Sequence, residues 1–206
     1  MKTILFQGDS ITDVGRNRDD INSLGFGYPL LVSSSLGFDY PGEYNFINKG
    51  ISGNRIVDVY ARIKADIINL KPDIMSILIG VNDVWHEFDF KNGVDSEKYF
   101  KIYSMLIEEI KAELPDIKIM IMEPYVGNGS ATADKIDIFR TEVFKRAEKA
   151  KKIAEKYNLT FIPLQKRFDE AFQSASVDYW LADGVHPNFK GHELIKREWI
   201  KAFKSL

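Results

Sequence analysis

The sequence predicts a three-layer α/β/α sandwich built on five parallel strands, with residues 1–206 forming one domain. Three observations carry this. A chain of 206 residues, 45% hydrophobic and 28% charged, has the size of one compact unit with a substantial core. Its apolar residues gather in five short runs. Patterns with helical spacing separate those runs, and strand alternating with helix marks a parallel sheet covered on both faces.

The first run is KTILFQ at residues 2–7, which passes directly into Gly8. The second is NFIN at 45–48. The third, DIMSILI at 73–79, is held between Pro72 and Gly80. The fourth, IKIMIME at 117–123, stops at Pro124, and LTFIP at 159–163 is the fifth. Runs of this length between turn formers suit strands buried on both faces. A helix is expected over 56–70. Phe100, Tyr103, Leu106 or Ile107, Ile110 and Leu114 recur every three or four residues. They predict a second helix that starts near Ser96 as its cap and ends before Pro115. Phe139, Val143, Ala147, Ala150, Ala154 and Tyr157 mark a third, and residues 188–204 a fourth. The expected strand order is the flavodoxin-like 2-1-3-4-5.

Composition narrows the function. Net charge is −2 and no basic stripe exists, so nucleic acid is not an expected partner. No apolar run approaches the roughly 20 residues that span a bilayer, and the N-terminus lacks a signal-peptide core, so a soluble, cytoplasmic chain is expected. The absence of cysteine excludes a thiolate nucleophile and thiolate metal ligands. The three histidines, His86, His186 and His192, show no metal-ligand spacing, so no metal is expected; no organic cofactor is called for either.

In an open parallel sheet, ligands bind beyond the carboxyl ends of the strands near the switch point in strand order. The residues that follow the strands are therefore informative: GDSIT at 8–12, NKGISGN at 48–54, GVND at 80–83, the loop 124–135, and, one helix beyond the fifth strand, DGVHP at 183–187. Each block alone has a plain reading. Ser10 could cap a helix, Gly53 could serve a turn, Asn82 could form a turn, and Asp183 with His186 could open a helix. Together they place a hydroxyl, an imidazole, a carboxylate and several N–H donors on one rim. An Asp three residues before a His can fix its tautomer and leave Nε2 free as a base. Neither the serine elbow GxSxG nor a phosphate-binding GxxxxGK[ST] loop is present.

The four blocks at 8–12, 48–54, 80–83 and 183–187, in this order, resemble those of the SGNH, or GDSL, hydrolase family. "GDSIT" differs from the family's name only by Ile11. The resemblance implies Ser10 as nucleophile, Asp183 and His186 as its partners, and Ser10, Gly53 and Asn82 as oxyanion donors. The stretches GDSITDVGR, NKGISGNRI, IGVNDVW and DGVHP are similar to those of compact intracellular acetylxylan esterases, so an oligosaccharide acetyl ester is the implied substrate. The alternatives are a lysophospholipase or thioesterase of the same family and a non-catalytic sugar-binding protein. Aromatic and polar residues on the rim suit a sugar better than a long acyl chain. Asp9, Asn54, Trp85, Tyr125 and Trp180 are the expected substrate contacts, with Asp13, Arg16 and Arg55 as further polar groups. His192 is expected to be structural. Phe88 and Phe90 could serve contact with a second copy of the chain.

Overall fold

A computed structural model describes residues 1–206. One sheet holds β1 (Lys2–Gly8), β2 (Tyr44–Asn48), β3 (Ile74–Leu78), β4 (Lys118–Met122) and β5 (Thr160–Ile162). All neighbours are parallel, in the order β2-β1-β3-β4-β5. The helices are α1 (Ser10–Asp13), α2 (Tyr28–Asp39), α3 (Ile56–Ala61), α4 (Ile63–Asp66) and α5 (Val81–Phe90), then α6 (Ser96–Glu113), α7 (Ile136–Tyr157), α8 (Gln165–Phe172), α9 (Val177–Trp180) and α10 (Phe189–Phe203). None is long and apolar enough to cross a membrane.

Alternation along each strand feeds two separate cores. Ile4 and Phe6 of β1, Leu78 of β3, and Met120 and Met122 of β4 point to one side. There they meet Tyr28, Val32 and Leu36 of α2, Phe168 of α8, and Ile195 and Trp199 of α10. Leu5, Met75, Ile77, Ile119 and Ile121 point to the other side, against Tyr99, Tyr103, Leu106 and Ile110 of α6 and Val59 of α3. Each such buried side chain stabilises the fold by about 1.5–3 kcal/mol. Across β1 and β3, Gly8 pairs with Leu78, so the two strands end level with each other. That brings the starts of α1 and α5 side by side.

Three local details differ from the sequence expectation. The 56–70 helix is broken into α3, α4 and a 3-10 turn at Ile68–Leu70. At the break, Arg62 has φ −110°, and its guanidinium donates to Gln7 Oε1, Asn54 Oδ1, Lys49 O and Asp66. The cap of α6 is Asp95 rather than Ser96, because the carboxylate accepts from Glu97 N and Lys98 N. Helices α2, α5, α8 and α9 have no counterpart among the expected elements. In α2 apolar residues occupy every face, which hides the 3.6-residue period.

Candidate active site

Ser10 opens α1 directly after β1. The helix is capped by Asp9, whose Oδ1 accepts from Ile11 N at 3.0 Å. Ser10 is thus free of capping duty, and its own N–H lies in the first turn, where no intrahelical acceptor exists. Gly8 makes the tight exit from β1 possible. A Cβ there would lie 2.4 Å from Leu78 O and 2.5 Å from Thr12 Oγ1.

Ser10 Oγ lies 2.8 Å from His186 Nε2. His186 Nδ1 lies 2.6 Å from Asp183 Oδ2. Asp183 Oδ1 accepts from both Val185 N and His186 N at 2.8 Å, which fixes the carboxylate plane. Burial alone raises the Asp183 pKa, but the bonds from the His186 ring, His186 N and Val185 N outweigh it and bring it down to about 2. The ionised carboxylate therefore holds the proton on Nδ1, and Nε2 accepts from the Ser10 hydroxyl. The same ring-to-carboxylate bond raises the His186 pKa above its ordinary 6.5, against the opposing effect of burial.

Two further N–H groups named from the sequence stand beyond β2 and β3. Asn82 stands at the second position of α5, 7% exposed, and Nδ2 donates to Asn54 O at 3.1 Å. That bond uses one amide hydrogen and leaves the other without a partner in the chain. Gly53 has φ +83°, a conformation that suits glycine, and a Cβ there would come no nearer than 4.0 Å to any neighbour. Its backbone is open to an approaching ligand.

Residues 6–194 match the profile of the GDSL-like lipase/acylhydrolase family. The chain is also 34% identical over 205 residues to the acetylxylan esterase of Geobacillus stearothermophilus, covering 96% of this chain and 92% of that one. The chain belongs to the GDSL family. It is a carboxylic ester hydrolase. Among solved structures, one described as a GDSL-like lipase from Parabacteroides merdae superposes with a TM-score of 0.94 at 34% identity, covering 98% and 95% of the two chains. Axe2, an acetylxylan esterase from Geobacillus stearothermophilus, superposes at 0.87 with 33% identity, covering 98% and 93%.

The other residues expected at the rim of this GDSL chain divide sharply. Trp85 does face it: its ring lies 5.9 Å from that of His186 and 5.8 Å from that of Phe139. Tyr125 does not. It is fully buried and stacks on Phe168 at 4.3 Å, so it belongs to the core. Asp9, 1% exposed, caps α1 from below and cannot reach a ligand; burial pushes its carboxyl up to about 7. Asn54 spends its side-chain oxygen on Arg62 Nε and contributes its carbonyl to Asn82. Trp180 is half-buried on a groove of about 560 Å³ between α8, α9 and α10, and none of Ser10, Asn82 or His186 lines that groove. Phe88 packs edge-on against Phe139 under Lys135, leaving Phe90 as the exposed ring of the pair. His192 is buried and accepts from Tyr28 N.

Sequence reasoning missed the bracing of the loops. Asp13 Oδ2 accepts from Ser52 N and Ser52 Oγ, Arg16 Nε donates to Gly50 O, and Asn48 Nδ2 donates to Thr12 O. These bonds fix the Gly53 loop against the Ser10 segment. The 127–132 loop does the same for Asp183. Gly127 N donates to Gly184 O, Ala131 N donates to Asp183 O, and the buried Thr132 hydroxyl donates to Gly127 O. Paired polar residues in loops after different strands are the available signal, but their partners are set only by the fold.

Proposed function

We propose that this hydrolase removes acetyl groups from short xylan-type oligosaccharides by a serine mechanism, with Ser10, His186 and Asp183 as the triad. The observation that carries this is the 2.8 Å contact from Ser10 Oγ to His186 Nε2, continued at 2.6 Å to Asp183. Ser10 Oγ attacks the acetyl carbonyl as His186 Nε2 takes its proton. The oxyanion is held by the N–H groups of Ser10 and Gly53 and by Asn82 Nδ2. His186 then protonates the departing sugar oxygen, leaving acetyl-Ser10. Water, deprotonated by the same imidazole, releases acetate and restores the hydroxyl. Structures of catalytic mutants of Axe2 that match this chain replace a serine, an aspartate and a histidine, the last two spaced like Asp183 and His186.

The sugar reading draws on the Geobacillus relative and on the Trp85 ring, 5.9 Å from that of His186. Hydrolysis of p-nitrophenyl acetate should exceed that of the decanoate at least tenfold in kcat/KM, and acetylated xylose should release acetate. A decanoate rate equal to the acetate rate would replace this reading with a lysophospholipase or thioesterase. A folded, active protein that forms no organophosphonate adduct on Ser10 would remove Ser10 from the role of nucleophile.

Acidity supplies an independent check. His186 must be neutral to accept a proton, and its pKa stands above 6.5. Activity should therefore fall as pH drops through that raised value and level off above it, with a kcat/KM midpoint higher than 6.5. Asp183, down at about 2, stays ionised across this range. A flat profile between pH 5 and 8 would remove His186 from the role of base.

A further inference from the structure

Helix α5 shows three side chains in one stripe. Asn82, Trp85 and His86 stand at i, i+3 and i+4, so they share a face. Asn82 reaches the Asn54 carbonyl, and Trp85 borders the His186 ring. His86 borders the glycine end: its Nε2 is the nearest atom, at 4.0 Å, to where a Gly53 Cβ would stand. No other atom comes as near to that position. The imidazole is half-buried, and its ring edge meets Phe90 at 5.3 Å. Phe90 is itself 68% exposed, so this contact does not make His86 a core residue.

His86 makes no side-chain hydrogen bond within the chain. Burial and the Arg55 guanidinium hold its pKa below 6.5, against the opposite pull of Asp58 and Asp89. The ring is thus neutral when His186 is neutral, with one nitrogen donating and the other accepting. That combination matches an alcohol, which needs both. An anion would instead call for a cationic ring, and an alkyl chain would leave both nitrogens unpaired.

We propose that His86 hydrogen-bonds a sugar hydroxyl adjacent to the acetylated position and so selects sugar acetates over plain alkyl acetates. This rests on the acetyl-sugar reading above and adds to it a residue that decides specificity. The walls of the cleft then divide the work. Trp85 offers a face to the ring near His186, and His86 reads the neighbouring hydroxyl near Gly53.

The test compares methyl 2-O-acetyl-xylopyranoside with cyclohexyl acetate, a ring ester of similar size without hydroxyls. For wild type, His86→Phe and His86→Gln, kcat/KM is measured on both esters. The sugar-to-cyclohexyl ratio should fall about five- to tenfold in His86→Phe, the loss of one neutral hydrogen bond, and His86→Gln should restore most of it. A ratio within twofold of wild type overturns the proposal. So does an equal loss on both esters, which would make His86 a support of the Gly53 loop. A wild-type enzyme that cleaves cyclohexyl acetate but no sugar acetate overturns the acetyl-sugar reading itself. That outcome is distinct from an unchanged ratio in an enzyme active on the sugar.

Discussion

Ser10→Ala is expected to lower kcat for acetyl-ester hydrolysis by about 10⁴–10⁶, with KM changed little. The loss is large because, in the proposed mechanism, one atom carries the covalent step. The hydroxyl already lies 2.8 Å from the base, so the wild-type enzyme spends little on reorganisation before attack. The variant keeps the proposed oxyanion donors, Gly53, Asn82 and the backbone N–H of residue 10. Its residual rate should therefore still exceed that in water by about 10³–10⁴. Folding should be unharmed, since the cap of α1 is the Asp9 carboxylate and not the Ser10 hydroxyl. Steady-state kinetics check the rate, and mass spectrometry after organophosphonate treatment checks the adduct. Adding His186→Ala to Ser10→Ala should cost almost nothing more, because the two groups act as one unit. A Ser10→Ala protein within a hundredfold of wild type would mean that the nucleophile is another group.

Much of this arrangement is legible in the sequence, and the reason is periodicity. The five strands are short apolar runs bounded by Gly or Pro, and each run lies within a residue or two of the observed limits. Their order accords with the general preference of parallel sheets. The loops after β1, β2 and β3 then have to share a rim, and those are the segments that carry Ser10, Gly53 and Asn82. What the sequence hides is direction. Tyr125 directly succeeds Pro124 after β4, which places it at the rim by position, yet its ring turns down onto Phe168. Asp9 adjoins Ser10 in the chain, but the first turn of α1 rotates its carboxylate inward to Ile11 N. Trp180 lies three residues before Asp183, yet α9 carries it to the α10 flank. Adjacency in sequence fixes where a Cα goes, while the local helix or turn decides which way the side chain faces.

Asp183→Asn is expected to cost about 10⁴ in kcat, nearly as much as losing the nucleophile, although it changes one oxygen to one NH₂. The two backbone donors decide the outcome. Val185 N and His186 N both point at Oδ1, so an asparagine places its carbonyl oxygen there and its NH₂ toward the imidazole. The opposite flip would set NH₂ against two N–H groups, leaving donors unpaired in a half-buried site. With NH₂ facing it, Nδ1 must act as acceptor, and the ring proton moves to Nε2. Nε2 can then no longer take the proton of Ser10. The loss should appear in kcat, because substrate contacts are untouched. The residual activity should also show a lower pH midpoint, because Asp183 is what raises the His186 pKa. Direct observation of the ring by ¹⁵N NMR would show the proton on Nδ1 in wild type and on Nε2 in the variant. If the proton stays on Nδ1 while the rate still falls 10⁴-fold, the role of Asp183 is to stabilise the imidazolium by charge alone. If kcat stays within tenfold of wild type, neither orientation nor charge from this carboxylate matters to the reaction.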